Sequence, residues 1–273
     1  MFCGTELGRR IERAEAILIG AAVSAARRRG TDGFALPVAG GLAAFAEPGA
    51  PFNKVVGLGF GGVPAEADMD EIERAYAAHG SPTPVELSTL ADPQIAELLG
   101  SRGYRVVAFE DVLGRLLAGG PEEDPPGVTV RPAGADELDA WVDALVEGFA
   151  HPDNEGVPAP EDFPRDVVDR AERDFEEAGV TPYVALIDGR IVGAGCLCVT
   201  DGVAQLAGAA TVPTHRRRGV QTALLNTRLR AAGRAGADIA VVTTAPGSPS
   251  QRNAQRRGFA LLYTRAILLK DAQ

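Results

Sequence analysis

The stretch of sequence that decides the fold is Val212-Pro-Thr-His-Arg-Arg-Arg-Gly219-Val-Gln-Thr-Ala-Leu-Leu225. An apolar run ends at Val212, a compact loop with three arginines follows, and an amphipathic pattern begins after Gly219. Glycine lets the backbone approach a ligand closely, and the first N–H groups of a helix lack intrahelical acceptors and attract anions. Cations at a helix N-terminus are repelled by the positive end of the helix dipole, so their placement there is unfavourable unless an anion is bound. The stretch predicts a strand, a phosphate-binding loop and a helix, with a solvated basic surface as the plainer alternative.

The residues around this loop predict an ordered series of elements between 128 and 273. Helices are indicated by apolar residues at helical spacing, and strands by β-branched runs. The series is a strand at 128–131, helices at 135–149 and 161–178, strands at 183–187 and 191–199 around the turn Asp188-Gly189, a strand at 204–212, a helix at 220–235, a strand at 238–244, a short helix at 250–257 and a strand at 260–270. The order βααβββαβαβ indicates a mixed α+β sheet with one central βαβ crossover.

Two further motifs accompany the arginine loop. Ser250-Gln-Arg-Asn253-Ala-Gln-Arg-Arg-Gly258-Phe259 places an asparagine on a short helix that ends in Gly-Phe, and Tyr183 to Gly195 forms the hairpin upstream. In this order, the three motifs resemble those of the GNAT superfamily of N-acetyltransferases, whose signature Q/R-x-x-G-x-G/A follows a central strand. Arg216-Arg217-Arg218-Gly219-Val220 fits that signature, and Gln221 stands where the family has a small residue. The resemblance covers about 128–270.

The resemblance implies that acetyl-CoA lies in a V between the strands that end near Val212 and at 243–244. Its pantetheine would pair with the backbone of the first strand, and its pyrophosphate would rest on the amides after the arginines. The cofactor-binding residues implied in this way are Ala210, Thr211, Val212, Arg216, Arg217, Arg218, Gly219, Val220, Gln221, Thr222 and Asn253. Acetyl-CoA is expected as co-substrate, without a metal.

The same resemblance implies direct attack of a neutral amine on the thioester in a ternary complex. The backbone amide near Val212 would polarise the thioester carbonyl. The family's tyrosine position is occupied by Ala254, and the strand 204–212 has no glutamate to act as base. The remaining candidates for the acid are Tyr263 and Tyr183, and those for the base are Glu147, His151, Asp153 and Glu155.

The N-terminal part of the chain repeats the element order more weakly. Strands are predicted at 55–60 and 105–109. Between them, Pro64 and Gly103 are 39 residues apart and enclose helix, strand and helix, as Pro213 and Gly258 do over 45 residues. We interpret this as a tandem duplication, with a chance match of βαβαβ order as the alternative. The predicted fold is α+β, with two tandem GNAT-like domains, each a mixed, mostly antiparallel sheet flanked by helices around a βαβ unit. The predicted domains are a degenerate copy at 1–118, a Pro/Gly/acidic linker at 119–127 and the cofactor-binding copy at 128–273.

A glycine cluster in the N-terminal part suggests another function. Gly57-Leu-Gly59-Phe-Gly-Gly62 matches the G-x-G-x-x-G pattern of dinucleotide-binding sites, with Glu86 further along the chain. The helix that follows begins with acidic residues, which would repel a pyrophosphate. This reading remains an alternative to a degenerate acetyltransferase loop.

Charge limits the partners of the chain. Its 273 residues carry a formal net charge of −10, which argues against a nucleic acid or an anionic membrane as the main partner. Residues 127–210 hold 5 Lys/Arg and 17 Asp/Glu, whereas residues 211–273 hold 11 and 2. The basic quarter predicts a site for a small polyanion, and the acidic segment favours a cationic amine as acceptor.

The remaining patterns concern compartment and assembly. The apolar stretch 14–23 is shorter than the 20 or so residues that span a bilayer, so we expect a soluble cytoplasmic protein. Cys196 and Cys198 lie two apart in an apolar run and predict core packing rather than a metal site. Two lysines against 25 arginines indicate a GC-rich bacterial genome. The oligomeric state is open, with a homodimer as one option.

Together these patterns favour an acyl-CoA-dependent N-acetyltransferase that acts on a primary amine of a small molecule or peptide. The alternative is a catalytically silent acyl-CoA-binding or sensor module, because the expected tyrosine and strand glutamate are absent from their family positions.

Overall fold

One mixed β-sheet organises the chain, with helices on both faces. The computed structural model describes residues 1–117, 123–151 and 164–272, and within these residues twelve strands form the sheet. The N-terminal half contains α1 Thr5–Arg28, β1 Phe34–Val38, β2 Gly41–Phe45, β3 Lys54–Val56, α2 Glu66–Ala78, β4 Thr83–Ser88, α3 Pro93–Ser101 and β5 Arg105–Leu116. The C-terminal half contains β6 Thr129–Pro132, α4 Leu138–Phe149, α5 Arg165–Glu177, β7 Thr181–Ile187, β8 Arg190–Thr200, β9 Val203–Gln205, β10 Ala210–Thr211, α6 Val220–Arg234, β11 Ile239–Thr244, α7 Pro249–Arg256 and β12 Ala260–Lys270. Short 3₁₀ helices precede α4 at Ala135–Glu137 and follow β10 at Pro213–His215.

The two halves share one order of elements and one pattern of strand pairing. From α1 to β5 and from α5 to β12, the order is helix, three strands, helix, strand, helix and strand, with β10 as an offshoot of the third strand. In each half the first three strands pair antiparallel, and the third pairs parallel with the strand after the next helix. The predicted α+β class, with a mostly antiparallel sheet and a βαβ unit in each half, is confirmed.

Successive side chains along each strand point to opposite faces of the sheet, and each face carries its own layer of helices. On β8, Gly193 and Gly195 approach α6, whereas Ala194 and Cys196 pack with Trp141 of α4. The first layer contains α2, α3, α6 and α7, and the second contains α1, α4 and α5. Helix α1 contacts strands of both halves. No helix within the described ranges is both long and apolar enough to cross a membrane.

The last strand of each half pairs with strands of the other half. Strand β5 pairs antiparallel with β11, and β12 pairs antiparallel with β4, so that β5 and β12 lie side by side in the sheet. This exchange joins the halves into one sheet. The domain boundaries at 118 and 128 remain a prediction, and residues 118–122 of the linker lie outside the described residues.

A buried ion cluster lies where the strands are exchanged. The guanidinium of Arg265, on β12, is fully buried and hydrogen-bonds to Glu12 and Glu15 of α1, Glu86 of β4 and Glu110 of β5. Burial alone would raise the pKa of Glu15, but Arg265 and a nearby lysine outweigh it and lower that pKa to about 2. Removing one partner of such a cluster leaves uncompensated buried charge, so the cluster makes the exchanged arrangement specific.

Several predicted strands have different bounds in the structure. The predicted strand 204–212 is divided into β9 and β10, because the chain turns away from β11 at Gly208, which has a φ of 46°. The strand predicted to begin at Val55 ends at Val56, where Gly57 takes a φ of 69°. The strand predicted at 105–109 extends to Leu116, because β11 and β12 both pair with it. The predicted helix 161–178 is observed as α5, and residues 161–163 lie outside the described part of the chain.

The strand exchange predicts that the halves do not fold separately. A fragment of residues 123–273 loses β5 beside β11, both neighbours of β12 and all four carboxylates of Arg265. We expect this fragment to be insoluble or self-associated in size-exclusion chromatography, because its open strand edges and buried charges lack partners. The full chain cut at an inserted protease site between 117 and 123 is the control and should remain one particle. A soluble, monomeric fragment with a cooperative thermal transition would contradict this expectation.

The buried carboxyl of Glu172 predicts a pH dependence of stability. Glu172 lies on α5, is 6% exposed, and its Oε2 has no hydrogen-bond partner within the described structure. Burial raises its pKa from 4.5 to about 8. The native state therefore binds more protons than the unfolded state between these values, and its stability falls as the pH rises through them.

Glu172→Gln cannot ionise and should remove this slope. At pH 8 we expect the variant to exceed the wild type by about 3 kcal/mol in free energy of unfolding, with no difference near pH 4.5. Urea denaturation at both pH values measures the difference, and Glu176→Gln, at an exposed position of the same helix, is the control. Parallel pH profiles for wild type and Glu172→Gln would refute the assignment.

Candidate active site

The cleft that forms the candidate site begins where two strands diverge. Strand β9 runs parallel to β11 as far as Gln205, and the N–H of Leu206 donates to the carbonyl oxygen of Val241 over 3.0 Å. The chain then turns at Gly208, and β10 pairs antiparallel with β8 instead. The divergence of β10 from β11 creates the V-shaped opening that the resemblance implies.

A cleft of about 980 Å³ occupies this V. It is lined by Gly148, Phe149, Ala209, Ala210, Thr211, Pro213, Arg216, Arg217, Gly219, Val220, Gln221, Thr222, Pro249, Ser250, Arg252, Asn253 and Arg256. Of the implied cofactor residues, the structure brings together Ala210, Thr211, Arg216, Arg217, Gly219, Val220, Gln221, Thr222 and Asn253. Val212 and Arg218 do not line the cleft.

The loop before α6 presents backbone N–H groups to the cleft. Arg217 and Gly219 both have left-handed backbones, with φ of 61° and 83°. The first helical hydrogen bond of α6 runs from the N–H of Ala223 to the carbonyl oxygen of Gly219. The N–H groups of residues 220–222 precede it and have no intrahelical acceptor. Such converging amides at the positive end of a helix form an anion-binding concavity.

Four arginines add positive charge to the same cleft. Arg216 and Arg217 come from the loop, and Arg252 and Arg256 come from α7. Among the described residues that line the cleft there is no carboxylate. The two α7 arginines were missed as binding residues, although their i, i+4 spacing with Asn253 between them signals one face of a helix. The cleft can therefore hold a ligand with several phosphates.

Arg216 also has a structural role. Its Nη2 donates to the carbonyl oxygens of Gly148, at 3.2 Å, and of His151, and its Nε donates to that of Thr211 at 3.4 Å. These contacts attach the C-terminal end of α4 to the loop and to β10. Arg216 therefore shapes the cleft as well as charging it.

The backbone of Thr211, rather than that of Val212, faces the cleft. The N–H of Val212 donates to the carbonyl oxygen of Val192 over 3.0 Å, so it lacks the free donor that its predicted role requires. Bonded and non-bonded pairs alternate in an antiparallel ladder, which turns the backbone of Thr211 away from β8. The backbone N–H of this strand that faces the cleft is therefore that of Thr211 and not that of Val212.

The candidate acids are buried away from the cleft. Tyr263 is 4% exposed, and its hydroxyl donates to a carboxylate oxygen of Glu12 over 2.7 Å. Burial and the nearby charge of Glu12 raise the pKa of this phenol. Tyr183 packs in the core beneath α6, and Ala254 faces that core from α7. The structure brings neither phenol to the cleft.

The candidate bases lie at the rim. His151 is exposed, with Nδ1 3.0 Å from the backbone oxygen of Glu147, and the side chain of Glu147 lies near Arg165 of α5. Neither residue lines the cleft, although Glu147 directly precedes Gly148 and His151 follows Phe149 by two residues. Asp153 and Glu155 lie outside the described residues.

The glycine cluster of the N-terminal half is used for packing. A Cβ atom at Gly59 would lie 2.6 Å from the side chain of Ile95, and the N–H of Gly61 donates to the carbonyl oxygen of Ala39. The helix that follows has its own anion, because a carboxylate oxygen of Asp68 accepts from the N–H of Ala65 over 3.0 Å. These contacts explain the glycines without a dinucleotide.

Comparison with known proteins supports the resemblance seen in the motifs. Residues 141–259 match the model of the acetyltransferase (GNAT) family. No curated protein matches the chain.

Three solved structures are similar to the chain. A GCN5-related N-acetyltransferase from Kribbella flavida is 19% identical over 94% of this chain and 96% of its own, with a TM-score of 0.67. A GCN5-related N-acetyltransferase from Sphaerobacter thermophilus is 19% identical over 76% and 66%, with a TM-score of 0.56. A tandem GNAT protein from the clavulanic acid biosynthesis pathway is 14% identical over 84% and 74%, with a TM-score of 0.58.

At these identities the similarity concerns the fold, and it confirms the predicted tandem GNAT-like architecture. The residues that match the family model lie in the half that contains the cleft. The chain therefore carries, at residues 141–259, a domain of the acetyltransferase (GNAT) family.

Proposed function

We propose that the protein transfers the acetyl group of acetyl-CoA to a primary amine of a small molecule or peptide. The observation that carries the proposal is the cleft between β10 and β11, which joins open helix amides, four arginines and an outward-facing strand backbone. The family match supports acetyl transfer from acetyl-CoA.

The residues of the cleft fit the chemical groups of acetyl-CoA. Residues 219–222 offer N–H groups for a pyrophosphate, and Arg217, Arg252 and Arg256 offer guanidinium groups for phosphate oxygens. The backbone of Thr211 can pair with the amides of the pantetheine arm. Asn253, exposed on α7, is placed to contact the same molecule. No metal is needed for this arrangement.

The chain's own groups suggest how the reaction proceeds. Bound acetyl-CoA supplies an activated thioester. The N–H of Thr211 is the proposed donor to the thioester oxygen, where negative charge develops during attack by a neutral amine. The new amide C–N bond forms as the thioester C–S bond breaks, so CoA leaves as its thiolate. The proton of the amine passes to the candidate acceptors Glu147 and His151 at the rim, and a proton from solvent converts the leaving thiolate to the thiol.

The second candidate function, a silent acyl-CoA-binding or sensor module, is favoured by one observation. Among the described residues that line the cleft there is no carboxylate, imidazole, phenol or thiol to move a proton. Such a module would bind acetyl-CoA and release no thiol.

The proposed acceptor is a cationic amine. The acidic segment 127–210 includes α4 and α5, and Glu147 of α4 directly precedes Gly148 and Phe149 of the cleft. A nucleic acid and a membrane surface are not expected as partners.

Gly219→Asp tests where acetyl-CoA binds. The substitution brings a negative charge next to the amides of the loop. It also strains the backbone at a φ of 83° and puts a Cβ atom 2.6 Å from Pro125. We expect the wild type to bind acetyl-CoA with a micromolar Kd in calorimetric titration and the variant to lose at least about 100-fold in affinity.

Gly236→Asp is the matched control. Gly236 follows the opposite end of α6 with a φ of 82°, and a Cβ there meets nothing within 4 Å. It imposes a similar left-handed backbone strain far from the cleft, without the contact with Pro125, and should bind acetyl-CoA as the wild type does. Equal losses in the two variants would show that strain, not the loop's amides, explains the effect.

Thiol release over a panel of cationic, neutral and acidic amines separates the two candidate functions. We expect release with cationic amines, and in His151→Ala or Glu147→Gln a kcat reduced about 10-fold. Tyr263→Phe should keep kcat within about twofold and lower stability by about 1 kcal/mol, because a buried hydrogen bond is lost. Binding without release over the whole panel would favour the silent module, and a preference for acidic amines would remove the cationic acceptor.

A further inference from the structure

The segment Glu123–Gly127, which the sequence predicts as linker, is attached along helix α6. The side-chain amide of Asn226 donates to the backbone oxygen of Glu123 at 3.0 Å and to Oδ1 of Asp124 at 3.2 Å. One turn later, Arg230 donates to both carboxylate oxygens of Asp124 at 2.6 and 3.1 Å. The hydrogen bond from Arg230 is the main reason that the pKa of Asp124 is lowered.

The same segment contacts the loop at the start of α6. A Cβ atom built on Gly219 would lie 2.6 Å from Cβ and 2.9 Å from Cγ of Pro125. Gly219 lines the cleft, whereas Pro125 does not. Gly219 therefore lies between the cleft on one side and the proline ring on the other.

Glycine at this position needs such support. A glycine at φ of 83° has no side chain to restrain it, and its backbone can take many other conformations. The N–H groups of residues 220–222 converge only while this turn is held. A rigid ring against the outer side of Gly219 keeps it in place, and the contacts of Asp124 keep the ring there.

We propose that residues 123–125 are a brace of the cofactor site, in which Asp124 is a positioning residue that holds Pro125 against Gly219. The proposal rests on the proposed function, because it assumes that acetyl-CoA binds at this loop. The brace makes the segment between the halves a part of the cofactor site rather than a passive connection.

The experiment measures the Kd of acetyl-CoA by calorimetry for Asp124→Ala, Arg230→Ala and the double variant. Each single variant should raise the Kd about fivefold. The double variant should raise the Kd little further, because each single variant already breaks the same Asp124–Arg230 pair. Asp124→Arg combined with Arg230→Asp should restore part of the affinity, since it rebuilds the pair with reversed charges. If Asp124 and Arg230 only stabilised the fold, the charge-reversed variant would not recover the Kd while its thermal midpoint stayed unchanged.

Asp238→Ala is the matched control. It breaks a partly exposed pair with Arg10 that lies away from the cleft, and it should leave the Kd unchanged. As a second test, Pro125→Gly removes the ring from Gly219 and should raise the Kd by about the same factor as Asp124→Ala does.

The outcomes separate this proposal from the proposed function. A wild type that does not bind acetyl-CoA would overturn both. A wild type that binds, with Asp124, Arg230 and Pro125 variants of unchanged Kd, would overturn the brace alone.

Discussion

The site depends on one constraint, which is that β10 does not continue the pairing of β9 with β11. Beyond residue 241, β11 keeps its ladder with β5 but no longer pairs with β9, and β10 has joined β8. Each strand therefore has an edge without a neighbouring strand in the described part of the sheet. Backbone groups at such an edge need acceptors and donors. A ligand with amides along its length can supply them, which explains why the cleft suits a pantetheine arm.

The exchanged strands fix the geometry of that opening. Strand β5 supports β11 from the side away from the cleft, and β5 is in turn held by β12. Arg265 stabilises this arrangement, because its carboxylate partners come from α1, β4 and β5. The N-terminal half thus supports one wall of a site whose described lining residues come from the C-terminal half.

Local sequence patterns sufficed for the parts of the fold that are encoded locally. The loop before α6, the hairpin at Asp188-Gly189 and the order of elements in the C-terminal half follow from glycine positions and apolar spacing. Most of the residues implied for the cofactor lie in the cleft for the same reason, because one loop and two helix ends supply them.

The misses arise from long-range contacts. Helix α1 and the hairpin of β1 and β2 were not predicted, since α1 is rich in alanine and charge and gains its burial from both halves. The exchange of β5 and β12 has no local signature, because the sequence pattern of either strand would be the same in any sheet. Thr211 and Val212 could be assigned only once the pairing of β10 with β8 was known.

The pairing of β12 with β4 has a consequence for how the protein is made. Strand β4 ends at Ser88, whereas the strand that covers it ends at Lys270. During synthesis the N-terminal half emerges first, and the edge of β4 stays uncovered until β12, at Ala260–Lys270, has left the ribosome. An open edge is a template for wrong pairing, and contacts so distant in sequence form slowly. The nascent chain therefore passes through a long interval in which its first half is complete in sequence but incomplete as a sheet, and chaperones that shield strand edges would act in that interval.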